Sequence, residues 1–147
     1  MSVSANRGEH SELLAFLRIL HEGRVQVADK FGEPREAWLK VSGIKRPSDP
    51  DRNYQIVGDL VVVMSSAGAE LARASRASIG ALADKLFLQI KESQGASFTC
   101  PAGDEAFLLL QLEGMKAGSA AKADLLIEVA SPVFDGEVLS LGFSVKS

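Results

Sequence analysis

Two segments near the end of the chain carry the residue types that phosphodiester chemistry needs. Asp124 lies near the start of the segment Lys122 to Val129, and Ser144 and Lys146 lie near the end of the segment Leu139 to Ser147. Both segments read as strands. Side chains alternate along a strand, so Asp124, Leu126 and Glu128 share a face of the first, and Ser144 and Lys146 likewise share a face of the second. If the strands are neighbours, an acid and a lysine meet at one sheet edge. Phosphodiester hydrolysis needs a hard divalent cation held by oxygen ligands, to neutralise charge and activate water. The Lys146 ammonium could orient that water or steady the phosphate. An acid and an x-Lys pair are also common on solvated strand faces, so this pair needs support from elsewhere.

Glu9 and Glu12 supply some. Leu13, Phe16, Leu17 and Leu20 follow at helical spacing. At 100° per residue Glu9 projects near the centre of that apolar stripe and Glu12 at its edge. A carboxylate aimed at a core is costly without a cationic partner, and a metal ion would be one. The alternative is a solvated first turn whose acids favour the positive end of the helix dipole. Between Lys116 and Lys122 only small residues occur, Ser119 among them. Such a stretch lets a phosphate backbone approach while Lys116, Ser119 and Lys122 offer charge and hydrogen bonds, although it also suits a plain connector.

The positioning elements follow from periodicity and turn residues. A helix is predicted from Gly8 to Glu22, with Gly23 as its stop. A short strand runs from Arg24 to Asp29, a turn to Pro34, and a strand from Glu36 to Ile44. Lys45 to Asn53, rich in proline and charge, reads as a surface loop. Tyr54 to Met64 reads as a strand or a strand pair broken near Gly58. Ala67 to Ser93 reads as a helix burying Leu71, Ile79, Leu82, Leu86 and Ile90, weakened or divided at Ser75 and Gly80. A short strand from Ser97 to Cys100 precedes a helix from Asp104 to Met115. Strands at Ala123 to Val129 and Val138 to Lys146 close the chain.

With 147 residues, 46% of them hydrophobic, the chain is read as one domain that can bury a core without a disulfide. Cys100 is the only cysteine, which excludes an internal disulfide and a cysteine-based zinc site and fits a reducing cytoplasm. The polar N-terminus lacks a signal-peptide core, and no apolar run approaches a membrane span. A net charge of −3 argues mildly against a nucleic-acid partner. The objection is weak where bound metal covers the acids. Gly103 to Phe107 echoes a diguanylate cyclase signature but lacks its first glycine and its Glu-Phe pair. His10 and His21 have no third ligand nearby, and there is no Gly-rich phosphate loop.

Taken together, the segments Asn6 to Leu20, Val25 to Asp29, Lys116 to Leu125 and Leu141 to Ser147 resemble the N-terminal half of the HpaII family of type II restriction endonucleases. That family falls within the PD-(D/E)xK nucleases. The middle of the chain shares only the rhythm of the elements. A looser likeness to archaeal Holliday junction resolvases matches Gly8 with Glu12, and Gly118 with Ser119 ahead of Asp124. The resemblance implies an α/β fold, a restriction-endonuclease-like mixed sheet flanked by helices, with an elaborated middle segment. It implies Mg²⁺-dependent hydrolysis of double-stranded DNA at a CCGG-type site. Asp124 and Glu12 would ligate the metal with the Val145 carbonyl, and Ser144 and Lys146 would complete the catalytic set. Glu12 is favoured over Glu9, and Glu128 is a further candidate. Ser144 stands where most PD-(D/E)xK nucleases place an acid. Family members continue beyond the lysine strand, so residues 1–147 are expected to be the N-terminal part of a longer or two-chain enzyme. A homodimer or a C-terminal partner segment is expected, and no membrane. The competing expectation is a non-catalytic DNA-binding or assembly fragment that requires a second chain.

Overall fold

A computed structural model of the chain describes residues 4–28, 34–46, 48–114, 125–130 and 138–143. Among them lie three helices, α1 (Arg7–Glu22), α2 (Arg76–Glu92) and α3 (Pro101–Leu109). The strands are β1 (Ser4–Ala5), β2 (Arg24–Ala28), β3 (Pro34–Lys45), β4 (Arg52–Val57), β5 (Leu60–Ser65), β6 (Glu70–Ser75), β7 (Phe98–Thr99), β8 (Leu125–Ala130) and β9 (Val138–Phe143). The fold is α/β. A seven-stranded, mostly antiparallel sheet in the order β6-β5-β4-β3-β8-β9, with β2 also on β3, is flanked by the helices, and β1 pairs with β7 apart from it.

α1 forms where its apolar stripe requires it. Leu13, Phe16, Leu17 and Leu20 are fully buried. Asn6 caps the helix by accepting the Glu9 N–H at 2.8 Å, and the Glu9 carboxylate accepts the Asn6 N–H at 3.0 Å. This capping box satisfies two backbone donors that the helix itself leaves orphaned. Gly23, with φ 71°, ends the helix in the left-handed conformation that glycine tolerates best.

α1 and α2 lie antiparallel and hold each other's ends. Arg7, at the start of α1, donates to the carbonyls of Ile90 and Ser93 at the end of α2. Arg76, at the start of α2, donates to the carbonyls of His21 and Glu22 at the end of α1, and also to Gly58. Each guanidinium therefore meets carbonyls at the end of the other helix, where intrahelical N–H partners run out. Charged hydrogen bonds of this kind contribute roughly 1.5–3 kcal/mol. Arg76→Ala is accordingly expected to lower stability by about 2–3 kcal/mol, with Arg76→Lys intermediate, as read by urea unfolding. A loss below about 0.5 kcal/mol would show that the clasp does not stabilise the helix pair.

Three elements differ from the sequence reading. The expected helix from Ala67 is a strand, β6, followed by α2 from Arg76. Glu70 to Ser75 contains good helix formers, but pairing with β5 from Leu60 to Met64 overrides that preference. Ser75 divides the two by capping α2, its Oγ accepting the Ser78 N–H at 3.1 Å. Ile79, Leu82, Leu86 and Ile90 are buried as expected, whereas Leu71 lies on β6 and is only half-buried. α3 begins three residues earlier than expected, with Pro101 in its first turn, and ends before Gln111, whose φ is 51°. Finally, Lys45 to Asn53 is not a purely solvated loop. Arg46 and Asp49 are 5% and 0% exposed.

The core sits between the sheet and the helices. Ile44, Tyr54, Val61, Val63, Ile127 and Val129 face it from the strands, and the Phe16 ring meets Tyr54 edge-on at 4.9 Å. His10 is packed into the helical layer, its ring stacked on Phe98 and its Nε2 within 2.8 Å of the Phe98 carbonyl oxygen. Among the described residues no helix is long and apolar enough to cross a membrane.

Candidate active site

The β8–β9 hairpin is the frame for the proposed chemistry. Its register is regular, from Leu125 opposite Phe143 through Ile127 opposite Leu141 to Ala130 opposite Val138. The chain enters β8 from Asp124 and leaves β9 toward Ser144, at the end where Leu125 pairs with Phe143. Asp124, Ser144, Val145 and Lys146 lie outside the described residues, as do Lys116, Ser119 and Lys122.

Alternation along β8 is explicit where it is described. Ile127 and Val129 are fully buried against the helical layer, and Glu128 lies between them, half-buried. Glu128 belongs to the opposite face, against which no helix packs among the described residues. Its Oε1 is 3.9 Å from the Lys45 ammonium. Gly43, its partner on β3, leaves room for it: a Cβ there would lie 3.3 Å from Glu128 Oε2, 3.3 Å from the Tyr54 carbonyl oxygen and 3.5 Å from Asn53 Oδ1. Asn53 Oδ1 is buried and has no hydrogen-bond partner among the described residues. Beside it, Lys45, Arg52, Asn53, Gln55, Met64 and Ser65 help to line a depression of about 340 Å³.

Glu12 occupies the other layer. It is half-buried on α1, one turn before Phe16. α1 ends beside the middle of β3, where the Val41 N–H donates to the Gly23 carbonyl at 2.9 Å. Toward its start, the Phe16 ring lies 5.1 Å below the Arg46 guanidinium, which follows the last residue of β3. Lys45 pairs with Leu126, so the Glu12 end of α1 and the start of β8 lie toward the same end of the sheet. Glu12 and Glu128 approach from opposite faces. Glu9, by contrast, is committed to capping α1, which corrects the helical-wheel placement that aimed it at the core. Among the described residues no three histidine, cysteine or acidic side chains are grouped closely enough to hold a metal ion.

Sequence reasoning missed a buried polar cluster next to this region. Arg46 pairs with Asp49, and the Tyr54 hydroxyl donates to Asp49 Oδ2 at 3.2 Å. Asp49 Oδ1 accepts the N–H groups of Glu113 and Gly114 at 2.6 and 2.9 Å. Arg46 Nη2 donates to the Gly114 carbonyl at 3.0 Å. Burial, and then the neighbouring Asp49 carboxylate, pushes the Tyr54 phenol well above its ordinary range, so the hydroxyl stays a donor. The one sequence signal was an Arg and an Asp three apart, each followed by a proline, between two strands.

The HpaII restriction endonuclease family matches residues 6–147, nearly the whole chain. No curated protein and no solved structure matches it. On the extent of the family match, the chain belongs to the HpaII restriction endonuclease family.

Proposed function

We propose that this chain supplies the catalytic part of a type II restriction endonuclease that hydrolyses double-stranded DNA with Mg²⁺. Family membership supports the endonuclease and its DNA substrate. The observation that carries the residue assignment is the register of β8 with β9. One further step of that register would set Asp124 opposite Ser144, and Lys146 would follow two residues on. By alternation all three would share the face of Glu128.

The donor set suits a hard cation. Carboxylate oxygens of Asp124 and Glu12 and the Val145 carbonyl are the ligand types Mg²⁺ takes, and on the described side the orphaned Asn53 Oδ1 and the Glu128 carboxylate extend an oxygen-rich face. Bound there, Mg²⁺ would neutralise phosphate charge and make water a better nucleophile. Lys146 would hold the attacking water or a phosphate oxygen, and Ser144 would add a hydrogen bond where other nucleases of this kind carry an acid. Lys116, Ser119 and Lys122 would hold the DNA backbone without reading its sequence. The protein would act in the cytoplasm as a homodimer or with a C-terminal partner segment.

A plasmid with CCGG sites, incubated with the chain and its completing segment, tests this reading. Linear or nicked product that forms with Mg²⁺ and disappears with EDTA is expected. DNA binding without any cleavage would favour a non-catalytic binding or assembly fragment.

A further inference from the structure

Several partners of the Arg46–Asp49 pair lead to the candidate site. Arg46 directly follows Lys45, the β3 residue opposite Leu126 at the start of β8. Its guanidinium stacks over Phe16, one turn along α1 from Glu12. Its second nitrogen and the Asp49 carboxylate together hold the backbone of Glu113 and Gly114. A further ion pair, Arg52 to Glu113 at 2.7 Å, holds the same stretch from β4. Gly114 and Leu126 are thus both secured at the end of β3. Residues 115–124, which contain Lys116, Ser119, Lys122 and Asp124, begin and end at these two anchors.

Stability alone does not call for this arrangement. An ion pair buried to 5% and 0% exposure loses most of its solvation, and well-packed apolar side chains often serve a core equally well. Apolar groups could not hold two backbone N–H groups and a carbonyl at fixed positions. A planar guanidinium opposite a carboxylate can, because their donors and acceptors have fixed directions.

We infer that the Arg46–Asp49 pair is the positioning element of the candidate active site, fixing where the segment leading to Asp124 starts relative to α1 and β8. The inference rests on the endonuclease reading above. Both residues act through others and touch neither DNA nor metal.

Arg46→Lys is the informative variant. It keeps a positive charge beside Asp49, but one ammonium cannot reproduce the fork that also reaches Gly114. A displacement on the order of 1 Å at a reacting group can cost about 100-fold in rate. The variant is expected to lower kcat for plasmid cleavage by about 10- to 100-fold, at a temperature where circular dichroism shows it folded. Leu86→Ala, which loosens α2 instead, serves as a control matched for lost thermal stability and should retain kcat. Hydrogen exchange at the Glu113 and Gly114 amides supplies a readout independent of cleavage, and both should exchange at least about tenfold faster in Arg46→Lys, equivalent to about 1.4 kcal/mol of lost protection. Cleavage by Arg46→Lys within twofold of the parent would overturn the inference and leave the endonuclease reading standing. If the parent cuts no DNA, the endonuclease reading fails and exchange decides: unchanged exchange overturns the positioning claim, and faster exchange supports it.

Discussion

Lys146→Ala is expected to lower Mg²⁺-dependent cleavage of duplex DNA by about 10²–10⁴-fold, the range set by losing a positioned proton-handling or charge-stabilising group. The expectation rests on the β8–β9 hairpin, whose described pairs lead directly toward Asp124 on one strand and Ser144 on the other. Lys146 is the only lysine or arginine between Asp124 and Ser147. Asp124→Asn should be at least as damaging, because an amide keeps the shape but loses the charge that attracts a hard cation. Neither change should lower DNA affinity measured without metal by more than a few-fold, since Lys116 and Lys122 would carry the phosphate contacts. Initial rates on a supercoiled plasmid check the first part and fluorescence anisotropy the second. Cleavage by Lys146→Ala within threefold of the parent would remove Lys146 from the mechanism.

Asp49→Ala should have the largest effect on stability, about 3–5 kcal/mol, because it strands the buried Arg46 charge. It also removes the acceptor for the Tyr54 hydroxyl and for the Glu113 and Gly114 N–H groups. For a domain of this size roughly 2–4 °C is lost per kcal/mol, so the melting temperature should fall by about 6–20 °C. Replacing both partners, as in Arg46→Met with Asp49→Leu, should recover part of that loss by removing the unpaired charge. It should not recover all of it, because two backbone donors remain without an acceptor, at about 1–3 kcal/mol each if buried. Calorimetry on the parent and both variants checks the order. A melting temperature for Asp49→Ala within 2 °C of the parent would contradict the role given to the pair.

These two predictions fall on opposite sides of what the sequence reveals. The stripe of Leu13, Phe16, Leu17 and Leu20 has one period and one solution, so α1 and its buried face were legible. So were β8 and β9, as alternating runs bounded by turn residues, whereas Asp124 and Lys146, expected on the same strands, lie outside the described residues. The Asn6-x-x-Glu9 spacing is a capping-box pattern, and that spacing alone argues for Glu9 as a cap and against it as a metal ligand. β6 was not legible. Glu70, Leu71 and Ala72 prefer a helix, and only the β5 edge beside them makes a strand the better choice. Arg46 and Asp49 were hidden for a different reason. Charges near prolines read as solvated, and their burial depends on Gly114, far along the chain, supplying backbone partners that no local pattern encodes.

The position of Glu12 was legible as a helix edge but not as a side of the sheet. α1 packs on the face of Ile127, whereas Glu128 projects from the other, so the two acids would reach Asp124 from opposite directions. Their contributions can be separated by substitution.

The most direct test of the metal site is the rise in melting temperature that Mg²⁺ or Mn²⁺ produces in the absence of DNA. A ligand that binds only the folded state at about 100 times its Kd stabilises by about 2.7 kcal/mol, so the parent should gain several degrees. Asp124→Asn should lose that gain while keeping its metal-free melting temperature, Glu12→Gln should lose most of it, and Glu128→Gln should retain it. Loss in Glu128→Gln with retention in Glu12→Gln would make Glu128, not Glu12, the second acid at the metal. Equal metal-induced shifts in the parent and Asp124→Asn would contradict a metal-dependent nuclease site at this end of the hairpin.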